Sequence, residues 1–272
     1  MARTRTHVPL DVFLNGRLVG RLTKDPGGSV SFTYHETWLA WENALPVSIS
    51  LPLREDRYSG RAVTAVFDNL LPDNDDIRNR LAARVRAEGS DAYSLLSAIG
   101  RDCVGALQFL PEGTEPGPVG QIEGRALSDE EIAAILGNLN RTPLGVTEDE
   151  EFRISIAGAQ EKTALLFWQD KWNAPHGSTA TTHIFKPQIG MRSDIDLSQS
   201  VENEHLCMKV TTALGLPTAR TDIADFGGRR VLVVERFDRR WTADRRLLRL
   251  PQEDCCQALS VPPTAKYQAE GG

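Results

Sequence analysis

Phe152-Arg-Ile-Ser-Ile-Ala-Gly-Ala-Gln-Glu-Lys-Thr163 carries the most informative pattern in the chain. A β-prone run, Phe152–Ile156, breaks at three small residues, Ala157, Gly158 and Ala159, and resumes as Ala164–Trp168. Small residues between two strands let backbone N–H groups approach a bulky anion such as phosphate. The segment reads either as the tight turn of a β-hairpin or as a phosphate cradle. Gln160 and Lys162 favour the cradle, because an amide donor and a cation beside exposed backbone suit a triphosphate. It matches neither Gly-x-Gly-x-x-Gly nor the spacing of a Walker A loop.

Downstream, Lys186 sits inside the apolar strand Thr182-His-Ile-Phe-Lys-Pro187. It lies either on a solvated face or on the inner face, where an unpaired ammonium is costly. On the inner face it would bridge phosphate oxygens and need a carboxylate from the next helix, Glu204 first and Glu202 second. The run Val231–Val234 ends in Glu235-Arg236-Phe237, where a kinase turns its backbone toward the adenine edge. Asp238-Arg-Arg-Trp241 reads equally well as a salt-bridged surface turn. Asp225-Phe226-Gly227 spells the kinase metal-binding tripeptide but precedes the hinge-like strand, so it reads as a hairpin turn.

Around these residues the chain divides into three parts. Residues 1–112 form an N-terminal α/β subdomain, with a β-hairpin at Asn15-Gly16. A strand follows at Ser29–Tyr34, and helices at Thr64–Leu71, at the Asp73 or Asp75 cap through Arg86, and at Ala92–Ile99. Residues 113–151 form a Gly- and Pro-rich linker, a helix opened by the capping box at Ser128, and acidic Glu148–Glu151. Residues 152–272 alternate strands with one helix, which Ser198 or Ser200 caps and Gly215 closes. The fold class is α+β: an antiparallel sheet plus one helix, the plan of a kinase small lobe, follows the first subdomain. A C-terminal helical lobe is expected to be missing.

The chain is 272 residues long, 40% apolar and 25% charged, with a formal charge of −6. That composition is ordinary for a globular protein and argues against a nucleic-acid surface spread over the whole molecule. No apolar run approaches the roughly 20 residues of a membrane span. Four cysteines and five histidines show no metal-ligand spacing, so reduced thiols and no zinc are expected.

The order of loop, strand lysine and hinge resembles the nucleotide-binding half of a protein kinase. More specifically, the chain resembles the HipA toxin family of type II toxin–antitoxin modules. The blocks that carry the resemblance are Phe67–Asp73, Ile99–Asp102 with Val104–Ala106, Phe152–Leu165, Asp196–Ser200, Val234–Trp241 and Leu248–Asp254. The resemblance implies a cytoplasmic serine/threonine kinase that uses ATP and Mg²⁺ and phosphorylates glutamyl-tRNA synthetase, halting translation and promoting persistence. It implies a HipB-like helix-turn-helix antitoxin as partner, with DNA reached through that complex and no membrane. By position it places ATP at Ala157, Gly158, Ala159, Gln160, Glu161, Lys162, Lys186, Glu235, Arg236 and Phe237, and autophosphorylation at Ser155.

A kinase catalytic loop needs an Asp and an Asn four or five positions later. No asparagine follows Asn203. The catalytic and metal-binding Asp residues are therefore expected to have no counterpart here, and a large lobe would need on the order of 150 further residues. Three readings stand side by side: a segment of a complete kinase, a catalytically dead relative serving as an ATP- or antitoxin-binding module, and a detached antitoxin-like subunit.

Overall fold

Asn15 and Gly16 both take positive φ, 44° and 78°, the geometry that lets a two-residue turn match the twist of its strands. They join β1 (Leu10–Leu14) to β2 (Arg17–Lys24), with Leu14 opposite Arg17. The computed structural model describes residues 7–146, 154–192 and 194–267. Acidic Glu148–Glu151, and the Phe152-Arg153 start of the expected strand, lie outside the described residues. β3 (Val30–Tyr34) follows, then α1 (Glu36–Leu39), β4 (Tyr58–Ser59), α2 (Arg61–Asp68), α3 (Asp75–Arg84), α4 (Ala92–Ile99) and β5 (Leu107–Pro111). The strands form an antiparallel sheet in the order β4-β3-β2-β1-β5. Alternation turns Leu10, Val12, Val19, Leu22 and Phe32 into a core shared with Phe67, Leu71, Leu95 and Leu96 of the helical layer.

The cap of α3 differs from expectation. Asn74, rather than Asp73 or Asp75, accepts the Ile77 amide at 3.1 Å. Asp73 is engaged elsewhere, with Tyr267 at 2.8 Å and Lys266 at 3.3 Å. Two acidic residues in the first turn still suit the positive end of the helix dipole.

β6 (Gly124–Ala126) and α5 (Asp129–Gly137) come next, and Ser128 and Glu131 form the reciprocal capping box. β7 (Thr163–Trp168), β8 (Lys171–Pro175) and β9 (His183–Pro187) follow. After β10 (Gly190–Arg192) and β11 (Ile195–Leu197) come α6 (Ser200–Ala213), β12 (Thr221–Phe226) and β13 (Arg229–Glu235). The second sheet is antiparallel in the order β12-β13-β9-β7-β8-β6. Gly227 and Gly228, both at positive φ, turn β12 into β13. Asp225 accepts the Gly228 amide there at 2.8 Å, a hairpin-turn role.

The two faces of this sheet have different partners. Leu165, Phe185, Val231 and Val233 pack with Ile132 and Leu136 of α5. Alternation sends Lys186, Ile184 and their register partners Leu232 and Val234 to the other face. Ser200 does not cap α6, because its hydroxyl instead accepts the Ile189 amide at 2.9 Å.

Residues after the second sheet cross back to the first unit. β14 (Arg239–Trp241) pairs with β15 (Leu247–Arg249), and α7 (Cys255–Ala258) packs on α2. Gln257 donates to Val66 O at 2.9 Å, Glu253 accepts from Ser48 at 2.5 Å, and Asn69 donates to Val261 O at 2.9 Å. Three hydrogen bonds, on the buried side chains of Ser48, Asn69 and Gln257, therefore tie residues 253–261 to the N-terminal core. Among the described residues, no helix is long and apolar enough to cross a membrane.

Candidate nucleotide-binding site

The loop from Ser155 to Lys162 leaves the first unit and enters the second sheet. Ser155 is fully buried; its amide donates to Asp102 O at 2.9 Å and its hydroxyl to Leu70 O at 2.7 Å. Gly158 takes φ +110°, a region L side chains rarely adopt. Its carbonyl accepts the Asp73 amide at 3.3 Å. Gln160 donates to Pro187 O at 2.8 Å, which ties the loop to the end of β9. Glu161 pairs with Arg80 of α3 at 2.6 Å, and Ala159 is exposed.

Lys162 is buried beneath the bend. Its Nζ donates to Ala157 O at 2.8 Å, and a Cβ placed on Gly158 would stand 2.6 Å from that nitrogen. Burial, reinforced by the neighbouring Lys186 charge, lowers the Lys162 pKa to about 8. Gly158→Ala is therefore expected to destabilise the protein by about 1–3 kcal/mol. The methyl adds left-handed strain and pushes Lys162 off the Ala157 carbonyl. Urea denaturation measures the loss, and an unchanged midpoint would contradict the account.

One residue beyond Phe185 on β9, Lys186 meets α6. Its Nζ lies 2.5 and 2.7 Å from the two Glu204 oxygens. Glu202, the second choice from sequence, pairs with Arg230 at 3.1 Å instead. Register places Lys186 opposite Leu232 and His183 opposite Glu235. The lysine and the hinge thus stand three residues apart along neighbouring strands, about 10 Å. The small-residue loop and Lys186 share one end of the sheet, and Glu235 marks the other.

At Glu235–Phe237 the backbone is fixed and the side chains diverge. Glu235 N donates to Arg220 O and Arg236 N to Thr182 O, each at 2.9 Å. Phe237 is 68% exposed. The Arg236 side chain runs away from the loop into a buried cluster with Asp238, Asp102 and Thr181. Asp238-Arg-Arg-Trp241 is accordingly corrected from a surface turn: Asp238 and Arg239 are buried, and Arg239 reaches Asp102 at 2.8 Å. Arg249 adds a third guanidinium at 3.0 Å from Asp102. Burial alone would raise the Asp102 pKa, but Arg239, Arg249 and Arg236 reverse this and hold it well below the usual carboxylate range.

Sequence reasoning missed the roles of Asp102, Arg239 and Arg249. The available signal was that all three fall in the blocks Ile99–Asp102, Val234–Trp241 and Leu248–Asp254, three separate charged segments.

The donor set suits a nucleotide triphosphate: two ammonium groups, a glycine bend without a Cβ, and hinge backbone at sheet-edge distance. Among the described residues, no three His, Cys, Asp or Glu side chains gather as metal ligands.

Comparison with known proteins gives the following. Residues 10–110 match the model of the HipA N-terminal domain, and residues 154–272 that of the HipA-like C-terminal domain. A Sinorhizobium fredii protein named "Putative kinase Y4mE" is 40% identical over 266 residues, covering 97% of this chain and 62% of its own length. The serine/threonine-protein kinase toxin HipA of Shewanella oneidensis is 28% identical over 270 residues, 99% of this chain and 59% of that protein. A chain of the solved Shewanella oneidensis MR-1 complex of HipA, HipB and operator DNA superposes with a TM-score of 0.75 at 27% identity. It covers 97% of this chain and 59% of its own. The chain thus spans about three-fifths of the length of these relatives.

One expectation is corrected by these matches. The sequence predicts an N-terminal subdomain and small lobe with the C-terminal lobe missing. The C-terminal domain model matches 154–272, and the solved HipA-complex chain superposes over nearly the whole of this chain. The physical reason lies after the hinge: β14, β15 and α7 do not end a separate small lobe but fold back on α2 and the N-terminal core.

Proposed function

The chain belongs to the HipA family, and on that footing we propose that its site binds ATP, as the magnesium complex, for a serine/threonine protein kinase toxin of a type II toxin–antitoxin module. The observation that carries this reading is the Lys186–Glu204 pair, at 2.5 Å, beside the glycine bend. A carboxylate from the following helix holds the ammonium in place, as the strand lysine and helix glutamate of protein kinases do. Ala157 to Lys162 line the phosphates, Lys186 contacts them, and Glu235 to Phe237 offer the adenine edge backbone groups other than the Glu235 and Arg236 amides, which Arg220 and Thr182 already hold.

The finer reading follows the family. Glutamyl-tRNA synthetase is the protein substrate, translation arrest and persistence the consequence, and a HipB-like antitoxin the partner through which DNA is met. The protein acts in the cytoplasm, and Ser155 is the autophosphorylated residue. No described residue is assigned as catalytic base, so the chain by itself should bind ATP without transferring its phosphate.

Titration of fluorescent ATP into the purified 272-residue chain tests the site. Saturable binding that unlabelled ATP displaces is expected, and no binding at millimolar ATP would refute the reading.

The pH dependence has a definite sign. Lys162 is held at about 8 in the free protein against 10.5 for an ordinary lysine. Between these values the unfolded chain binds more protons than the folded one, so stability rises with pH through that window. A bound triphosphate favours the charged form, so binding takes up a proton above pH 8. ATP affinity should fall by more than about tenfold between pH 8 and 9.5, the slope approaching tenfold per pH unit at the upper end, as isothermal titration in buffers of different ionisation enthalpy will show. A flat profile would mean that Lys162 does not face the phosphates.

A further inference from the structure

Three guanidinium groups and two carboxylates are buried together where the two units meet, a concentration of charge that costs several kcal/mol per ion unless every group is matched. Here the matching is close to complete. Arg236 gives Nε and Nη2 to Asp238 at 3.0 and 2.7 Å, and Nη2 also to Cys103 O at 2.9 Å. Its Nη1 reaches Thr181 Oγ1 at 2.8 Å and Asp102 at 3.3 Å. Asp238 in turn accepts the Gly105 amide at 2.7 Å. Residues 236 and 238 are thus both pinned by the segment 102–105 of the N-terminal unit, and Phe237 is suspended between two fixed neighbours.

The same Asp102 also reaches the other end of the site. Its backbone carbonyl accepts the Ser155 amide at 2.9 Å, at the entrance to the glycine bend. One residue of the first unit therefore touches the start of the phosphate loop through its main chain and the adenine hinge through its carboxylate.

We propose that Asp102 is a positioning residue that sets the hinge for adenine, so that the N-terminal unit forms part of the nucleotide site. The inference rests on the ATP reading above and adds to it the residue that governs base recognition. Asp102 touches no part of the nucleotide. It acts through Arg236, whose backbone lies in the hinge. With the carboxylate neutralised, three arginines face a single Asp238, their mutual repulsion is no longer balanced, and the hinge backbone loses its fixed position. The phosphate end, held by the Asp102 carbonyl rather than its side chain, keeps its geometry.

The test compares Asp102→Asn with the wild-type chain for ATP, GTP and inorganic tripolyphosphate, each titrated calorimetrically. Expected is a loss of at least tenfold in ATP affinity, a smaller ratio between ATP and GTP, and tripolyphosphate binding within twofold of wild type. Unchanged ATP affinity and base preference in a folded Asp102→Asn chain overturn the inference and leave the ATP reading standing. A parallel fall for all three ligands also overturns it, since the cluster would then be general scaffolding. Should Asp102→Asn fail to fold, Asp238→Asn releases the far side of the hinge, and the same three ligands decide on the same criteria. Failure of the wild-type chain to bind ATP overturns the ATP reading and this inference with it.

Discussion

A Ser155→Asp chain is expected to lose ATP binding by at least a hundredfold while Ser155→Ala retains it. The serine is fully buried, and its hydroxyl donates to Leu70 O while its amide donates to Asp102 O. The pocket around the side chain thus offers an acceptor and requires a donor. A carboxylate is an acceptor only, so aspartate sets two oxygens against each other in a site closed to water. Burying an unpaired charge in this way costs several kcal/mol. The relief open to the chain is for residues 154–162 to leave, at the cost of the buried Ile154 and Ile156 contacts and of the Gln160 and Glu161 bonds. Departure removes Gly158 from Asp73 and Gln160 from Pro187, and the phosphate cradle goes with them. Alanine deletes one hydrogen bond and leaves Leu70 O without its donor, at about 1–2 kcal/mol. Thermal unfolding, ATP titration and limited proteolysis of the loop read the three consequences separately. Tight ATP binding by Ser155→Asp would show that the loop tolerates a charge in place. In a full-length kinase, phosphoserine at this position carries more charge and should act in the same direction.

What was legible in the sequence is what local chemistry determines. Asn15-Gly16 announced its hairpin because few residue pairs accept two positive φ angles. Ser128 and Glu131 announced α5 through a reciprocal cap three residues apart. The small residues at 157–159 showed where backbone is left bare, and the apolar run around Lys186 showed that an ammonium there needs a carboxylate within reach. The misses have a different character. Asp73 has the chemistry of a cap but is held by Tyr267, 194 positions later. Asp238 and Arg239 look like a solvated turn until Asp102 is brought to them from 137 positions away. No periodicity encodes such meetings, because each partner alone is an ordinary polar residue on a loop. The return of α7 to α2 is hidden for the same reason: four residues, Cys255–Ala258, carry too short a pattern to reveal which surface they cover. That return, with the C-terminal domain match, overturns the expectation of a small lobe whose C-terminal lobe is missing.

Lys186→Ala is expected to weaken ATP binding ten- to a hundredfold with little loss of stability, and the two halves of that statement have separate causes. Stability changes little because the Lys186–Glu204 pair is only partly buried, at 21% and 37% side-chain exposure. Water can solvate Glu204 once the lysine is gone, so the pair contributes no more than about 1 kcal/mol to the fold. Affinity changes much more, because a triphosphate then meets one ammonium instead of two. At an effective dielectric near 20, a unit charge about 4 Å from a phosphate oxygen contributes about 4 kcal/mol before desolvation is subtracted. A net one- to twofold-decade loss in affinity, about 1.4–2.7 kcal/mol, is what remains. Glu204→Gln should cost less, since Lys186 keeps its charge and loses only its orientation. A further signature distinguishes loss of charge from loss of shape. Lys186 is one reason the Lys162 pKa is lowered to about 8, second only to burial. Removing it lets Lys162 hold its proton to higher pH. The pH at which ATP affinity begins to fall should therefore move upward in Lys186→Ala and stay near its wild-type position in a variant that is merely misfolded in part. Wild-type affinity in Lys186→Ala would place the phosphates away from β9 and end the assignment of this lysine.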